Sequence, residues 1–577
     1  MRTFTAVALA GCLAATPAGA QALQDLYSPL IEWRQASGFE VTPIHMGLLP
    51  NGKLFLVNEY NYLQHPEVIL TKPGFEPEFL FIIPTTPPFM TQPASVLITP
   101  IKNPAPFKPV VYTRTNMFRM KSLVCSGHAL LANGNLFFAS GADGIVDLTL
   151  YASGNLIDAL TVDGIAESTT YNTTLNTWTV NPKTIVRGPL GEPLRWYATV
   201  TRLADSRMLV TGGYDAVIPV KSYNLSVEVF DSARRTWTMV SGLAQTPPGV
   251  ENPDYPHVFQ WPYADPTRSV MMIGGSAEPL FMLMPSSRGA TTWQHTNNFR
   301  PGAKDFIDAF APQKVFPNYG SSSTLLPLRL PQDSWGYANG SVLYAGGEHD
   351  TLLEGNVDVY DPVADAWRPS IPMHGYRHHP STVILPDGRI LILAGHDDES
   401  PVSETGYAEY VDPRNNFALT RGTSFMPEVR GYHTVTVLLP DGRVVVGSGN
   451  VDGNDGIERS DFRYYYPDYM FKIRPTMMTA PAALRFGGLA QFTVPRGTVV
   501  TEAALVGLGS QTHSFDMNQR HVQLQLTGPV SSCRRACIDT YTITAPTARE
   551  LAPPGHYILF ILDHDRVPSL GKIVSLQ

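Results

Sequence analysis

The segment LLPDGRVVVGSG (438–449) is an apolar strand, an Asp-Gly turn and a second apolar strand that ends in small residues. Asp-Gly and Asn-Gly between apolar runs signal a tight hairpin, because these residues tolerate the positive φ that its turn demands. The unit recurs as LLPNGKLFLVN (48–58), LLANGNLFFASG (130–141), RLADSRMLVTGG (202–213), YADPTRSVMMIGG (263–275), ANGSVLYAGG (338–347) and ILPDGRILILAG (384–395). A second element joins several copies: TYNTTLNTW (170–178), EVFDSARRTW (228–237) and DVYDPVADAW (358–367), with EYVDPRNNF (409–417) as a variant. In each, an aromatic and a turn-forming Asp or Asn lead to Trp or Phe.

Strand–turn–strand units repeated every 50–80 residues or so, with terminal small residues and a Trp, are the pattern of kelch-type propeller blades. Seven copies predict an all-β chain with a seven-bladed kelch-type β-propeller over 21–471. Helical solenoids are excluded, because turns rather than a 3.6-residue period punctuate the pattern. Past Arg474-Pro475 the repeats stop. RFGGLAQFTV, HVQLQLTG, TYTITAP and GHYILFILD are short strands between Gly and Pro, which predicts a C-terminal immunoglobulin-like β-sandwich over 472–577.

Composition agrees. Of 577 residues 47 are Gly and 50 Pro, only 16% are charged, and 43% are hydrophobic. That is enough apolar material for a packed core. The net charge of -8 leaves no basic stripe to neutralise phosphates, so nucleic acid is not an expected partner. Past the N-terminus no apolar run reaches the ~20 residues of a membrane helix, so no transmembrane segment is expected. MRTFTAVALAGCLAATPAGA (1–20) has an early Arg2, an apolar stretch and small residues at Ala18 and Ala20, as a cleaved signal peptide does. Leu9-Ala10-Gly11-Cys12 also resembles a lipoprotein cleavage box, the alternative being anchorage at Cys12. Either route predicts a secreted or periplasmic protein, and a monomer is the default.

After Ala20 three cysteines remain. Cys533 and Cys537 are spaced for a small-loop disulfide, which leaves Cys125 odd. Counting back eight residues from the turn Asn or Asp links Asn133 to Cys125, Asp205 to Tyr197, Asp265 to His257, Asp387 to His379 and Asp441 to His433. If the blades superimpose, equal offsets put a thiol, a phenol and imidazoles on one rim. Imidazole and phenolate suit Cu(II), whereas zinc draws His, Cys and carboxylates at closer spacing. A Cys beside a Tyr in an oxidising, metal-bearing pocket has an alternative to a disulfide, a thioether bond to the ring. Taken singly, each residue also has a structural reading, as an edge aromatic, a core histidine or an inert buried thiol. A carboxylate-based glycosidase would need paired acids on the rim, and none of the five offsets points to one.

These residues resemble the copper radical oxidases, the family of galactose oxidase and glyoxal oxidase. VCSGHALLANG carries the family's cysteine as Cys125, and RWYATVTRLADSRMLVTGG its cross-linked tyrosine as Tyr197, closest to the glyoxal-oxidase form. GYHTVTVLLPDGRVVVGSGN resembles the Tyr-His pair of the last blade, Tyr432 and His433. GLGSQTHSFDMNQRHVQL resembles the hairpin that brings a further histidine, His513, through the propeller axis. The resemblance implies one copper ion held by Tyr197, Tyr432, His433 and His513, and a Cys125–Tyr197 thioether carrying a radical. It implies oxidation of a small aldehyde hydrate or primary alcohol, with O2 reduced to H2O2. A galactose-oxidase-like carbohydrate alcohol oxidase is the alternative, and a non-catalytic kelch binding module is the rival from another class.

Departures from the family pattern are also visible. Gly213-Tyr214-Asp215 stands where galactose oxidase stacks a tryptophan over the thioether, and GYRHHPSTVILPDG (375–388) nearly duplicates the Tyr-His segment, so His378 or His379 is a further pocket candidate. Loops near His128, His257 and Glu348-His349-Asp350 are expected to wall the pocket. Asn172, Asn224 and Asn339 begin glycosylation sequons.

Overall fold

A computed structural model describes residues 25–34, 41–58, 80–83, 95–97, 99–102, 107–108, 110–112, 114–155, 159–183, 194–218, 222–224, 226–241, 254–274, 277–284, 293–303, 320–347, 355–397, 404–450, 458–533 and 537–577. The expected signal peptide at 1–20 with Cys12, and Glu348-His349-Asp350, lie outside them. The fold is all-β, built from many small sheets. No helix among the described residues is long and apolar enough to cross a membrane.

The Asn-Gly and Asp-Gly turns do what their chemistry dictates. Gly52, Gly134, Gly388 and Gly442 all take positive φ, and in each case the chain reverses between two buried strands. Gly127–Leu130, Leu136–Ala139, Ser168–Asn172 and Thr177–Val180 form one antiparallel sheet. The sheets that begin at Thr199, His257, Ser322 and Ser381 repeat that order. The sheet that begins at Thr434–Leu438 is completed from the other end of the chain, by Ile31–Arg34 pairing with Phe462 and Asp461. Pro43–Leu48, Leu54–Asn58, Leu80–Ile83 and Thr99–Ile101 form a further one. First strands of successive sheets lie side by side, Gly127–Leu130 with Thr199–Arg202, then His257–Gln260, and Ser322–Leu325 with Ser381–Ile384, Thr434–Leu438 and Pro43–Leu48.

Beyond Arg474 a seven-stranded group encloses its own core of Phe492, Leu505, Tyr541 and Leu559, and a disulfide joins Cys533 to Cys537. One hairpin leaves this group. Ser510–Thr512 adds to the inner edge of Pro43–Leu48, with Thr512 opposite His45, and turns back through Phe515–Asp516. The hairpin touches first strands from three further sheets, at Gly127–Leu130, Ser322–Leu325 and Thr434–Leu438. An extra six-stranded sheet, which includes Met117–Ser122, Ala142–Asp147 and Tyr214–Ile218, was not anticipated. Its strands Ala142–Asp147 and Tyr214–Ile218 continue the chain just past the small-residue ends of two hairpins, the side opposite the Asn-Gly and Asp-Gly turns.

A buried ion pair recurs at that same end. Arg195 meets Glu228 at 3.0 Å, Arg300 meets Asp358 at 2.6 Å, Arg377 meets Glu409 at 2.9 Å and Arg430 meets Asp461 at 2.5 Å. All four guanidinium groups are fully buried. Each also donates to the carbonyl where a second strand ends, at Gly212, Gly346, Ala394 and Ser448. Three of the arginines precede Tyr197, His379 and His433 by two or three residues, so the pairs fix the backbone from which those side chains leave. Of the sequons, Asn224 and Asn339 are buried with their amides donating to Leu194 and Arg329 carbonyls. Asn172 keeps partial exposure.

Two predictions follow from this burial. Removing one partner of a buried, hydrogen-bonded pair leaves a charge without compensation. Arg377→Met is therefore expected to lower stability by about 3–5 kcal/mol in denaturant unfolding, and a change below about 1 kcal/mol would be inconsistent with the clamp. The second concerns Asp215, buried near Arg195, whose carboxyl loses hydration and is pushed up to about 7 against the pull of Arg195 and Asn224. Its folded value lies above the unfolded one, so folding favours the protonated acid and stability falls as pH rises from about 4 to 7. Asp215→Asn should stabilise the protein by roughly 2 kcal/mol at pH 8 and negligibly at pH 4. A gain that is equal at both pH values would contradict this origin.

Candidate metal centre

Five side-chain-bearing residues just ahead of the first strands adopt left-handed backbone, with φ of +53° at Cys125, +65° at Tyr197, +43° at Tyr255, +54° at His379 and +68° at His433. Such conformations cost energy outside glycine, and they concentrate where a side chain must be aimed. They are held by backbone hydrogen bonds passing from sheet to sheet. Tyr197 N–H donates to the Cys125 carbonyl at 2.9 Å, Tyr255 N–H to that of Tyr197 at 3.0 Å, and His379 N–H to that of Gly320 at 2.7 Å. Gly320 is itself required, because a Cβ there would meet His378 Cδ2 at 2.2 Å.

The eight-residue count needs one correction. Five residues connect the two strands of most hairpins, as at 131–135, 203–207, 385–389 and 439–443, but nine connect His257–Gln260 to Val270–Ile273. The longer connection moves the count by two, so the rim position belongs to Tyr255. His257 lies inside its strand, buried, stacked on Phe515 at 4.4 Å and hydrogen bonded to Ser323 Oγ at 2.7 Å. His128 is equally buried and supports the central hairpin, with Nδ1 2.6 Å from Ser510 Oγ and Nε2 2.9 Å from His45 Nδ1. Neither histidine belongs to a loop that walls a pocket.

The remaining candidates come together. The phenol oxygens of Tyr197 and Tyr432 are 3.0 Å apart. His513, at the tip of the central hairpin with φ of +45°, centres its ring 5.3 Å from that of Tyr197, 5.0 Å from Tyr432 and 4.5 Å from His433. Its Nε2 lies 3.7 Å from Cys125 Sγ. One ligand atom from each of Cys125, His433 and His513 fits within 4.8 Å of the other two. Both imidazoles are oriented by partners on Nδ1, Glu458 Oε1 at 2.6 Å for His433 and Thr512 Oγ1 at 2.6 Å for His513. Nε2 is thus the nitrogen each presents to the centre.

Electrostatics favour neutral groups here. Burial, followed by the proximity of Cys125, Tyr432 and Asp254, holds the Tyr197 phenol well above its usual range. Burial, followed by the neighbouring His433 and His45, holds His513 well below its own. Neutral imidazoles are ready metal ligands, and a bound cation would favour ionisation of the Tyr197 phenol. Two imidazole nitrogens and two phenol oxygens are a donor set that fits copper.

Sequence reading missed Tyr255 and the buried arginines. Tyr255 sits 5.4 Å from Tyr197 and 4.6 Å from His513, ring to ring, and its signal was hidden by the long connection. Trp196 packs on Tyr197 at 4.8 Å and donates Nε1–H to the Val124 carbonyl at 3.0 Å. Tyr214 meets the Tyr197 ring edge-on at 5.9 Å and donates to Asp254 at 2.9 Å. His379 lies 5.0 Å from Tyr432 and 4.1 Å from His378.

Residues 474–576 match the family model described as the galactose oxidase-like, early set domain. The chain is 22% identical to a galactose oxidase of Gibberella zeae over 81% of its own length and 62% of the relative's, so it spans less than two thirds of that protein. It is 26% identical to the aldehyde oxidase GLOX1 of Arabidopsis thaliana over 78% of its own length and 71% of the relative's. A fungal alcohol oxidase solved in complex with copper superposes with a TM-score of 0.63, covering 96% of this chain and 99% of that one at 16% identity, a likeness of fold. In sequence the chain is thus similar to galactose oxidase and aldehyde oxidase, and in fold to a copper-bound alcohol oxidase.

Proposed function

We propose that this chain is an exported copper radical oxidase that oxidises a small hydrated aldehyde or primary alcohol and reduces O2 to H2O2. The observation that carries the reading is the convergence of Tyr197, Tyr432, His433 and His513 around Cys125, with the two phenol oxygens 3.0 Å apart. In this reading residues 21–471 are a seven-bladed kelch-type propeller and 472–577 a β-sandwich that lends His513. The repeated four-strand order and the side-by-side first strands support it.

Tyr197, Tyr432, His433 and His513 would hold the metal, and copper bound there supplies a one-electron acceptor that O2 restores. The chain's own groups do the rest. Cys125 Sγ would bond to a Tyr197 ring carbon as the thiol and ring hydrogens pass to O2, which leaves as H2O2, and the thioether makes the phenol easier to oxidise, so Tyr197 stores the second oxidising equivalent. Tyr432 takes the proton of the substrate hydroxyl as general base. Tyr197 accepts the hydrogen atom from the adjacent carbon. In balance, RCH2OH and O2 give RCHO and H2O2, and an aldehyde hydrate gives the acid in the same way. Trp196, packed on Tyr197, shields that ring in place of the tryptophan that galactose oxidase takes from a later loop. The Arg195-Trp196-Tyr197 sequence and the aldehyde oxidase relative support the small-aldehyde preference over a carbohydrate alcohol.

Copper-loaded protein is expected to release peroxide on addition of methylglyoxal, and metal-free protein to release none. Peroxide that does not depend on copper would refute the reading. The tryptic peptide holding Cys125 should be covalently joined to that of Tyr197, with the loss of two hydrogens in intact mass. Cys125→Ser should fold with unchanged thermal stability yet lose about 100-fold or more in kcat, and full activity in that variant would remove the cross-link from the mechanism. Trp196→Gly should bind copper normally while its oxidised form decays faster than that of the wild type.

A further inference from the structure

Where the central hairpin returns toward the C-terminal strands, a cavity of ≈ 30 Å³ opens, lined in part by Arg202, Gln260, Asp516, Arg520 and Tyr557. Two cations face it, and both are buried, Arg202 at 5% exposure and Arg520 at 4%. Arg520 donates Nη2–H to the Gln260 carbonyl at 3.1 Å, and its Nη1 has no hydrogen-bond partner. Arg202 donates to the Leu130 carbonyl at 3.2 Å and to the Tyr557 hydroxyl at 3.5 Å, and its Nε has none. Among the described residues neither guanidinium forms a salt bridge. The four buried arginines of the rim each have a carboxylate, so these two are the exception.

The one carboxylate that lines the cavity is paired with neither guanidinium. Asp516 Oδ1 accepts the backbone N–H of Ser510 at 2.8 Å and of Asn518 at 2.9 Å. Burial pushes that carboxyl up to about 6. Burial and then, against the help of Tyr557, the nearby Arg202 charge bring Arg520 down to about 10. Two like charges in a dry interior cost several kcal/mol unless something of opposite sign joins them.

We propose that Arg202 and Arg520 bind one small monovalent anion, chloride in ordinary media, in this cavity. The volume admits one such ion or a water or two. Nη1 of Arg520 and Nε of Arg202 supply the donors, and the Tyr557 ring lies 5.8 Å from the Arg202 guanidinium carbon. The anion links Thr199–Arg202, the strand that starts two residues after Tyr197, to the arm seven residues beyond His513. It thereby pins the hairpin on which that histidine stands. The site does not depend on the redox reading, and its test needs no turnover.

Thermal unfolding of the full chain is compared in chloride and in gluconate at one ionic strength of about 0.2 M. The unfolding temperature is expected to be about 2 °C or more higher in chloride, and Arg520→Met should abolish the difference. A crystal soaked in bromide should show an anomalous peak between Arg202 and Arg520. Equal unfolding temperatures in the two salts, or the absence of that peak, would mean the cavity holds water alone and would overturn the proposal. Should Arg520→Met not fold, the bromide peak in the wild-type protein decides.

Discussion

The candidate centre depends on buried guanidinium–carboxylate pairs beneath its rim. Cys125, Tyr197, His379 and His433 stand on left-handed backbone that a chain without glycine does not hold by itself. Arg195, Arg377 and Arg430 supply the restraint at Tyr197, His379 and His433, because each joins the residues before a first strand to the end of the second strand and to an acid on the third. The strands of one sheet are thus tied together where the side chains leave. The desolvation cost of the pair is offset by several hydrogen bonds at once. The result is a set of short, aimed side chains on a rigid base, the arrangement that metal chemistry requires.

A second constraint acts from below. The hairpin at Ser510–Asp516 enters a space lined by first strands from several sheets, and its polar groups are satisfied there. Ser510 meets His128, Thr512 meets the Ile44 carbonyl, Gln511 meets Thr436 and Ser322 meets the Ser514 carbonyl. His513 can stand at the tip because the arms beneath it have no freedom left. One candidate ligand therefore comes from a part of the chain with its own core, while the others come from the repeated sheets.

Much of this was legible in the sequence for a local reason. Asn-Gly and Asp-Gly impose their turn wherever they stand, so the hairpins at 48–58, 130–141, 384–395 and 438–449 could be read directly. The offset count carried the reading to Cys125, Tyr197, His379 and His433 because five residues connect those strands. It slipped from Tyr255 to His257 where nine do. His513 rested on the family resemblance alone, since no period relates a hairpin of the C-terminal part to the repeats. The Arg377–Glu409 and Arg195–Glu228 pairs were missed because each spans about thirty residues, and an arginine in a polar segment reads as solvated surface. The added sheet through Ala142–Asp147 and Tyr214–Ile218 was missed too, because it lies outside the repeat and Tyr214–Ile218 pairs with irregular register.

The late position of His513 has a consequence for how the molecule is made. During synthesis the ribosome releases Cys125, Tyr197, Tyr432 and His433 long before the hairpin emerges, and Ile31–Arg34 waits for Asp461 and Phe462 to complete its sheet. A nascent chain therefore offers scavenging ions only an incomplete cage. Metal capture at this centre would then be a property of the finished polypeptide.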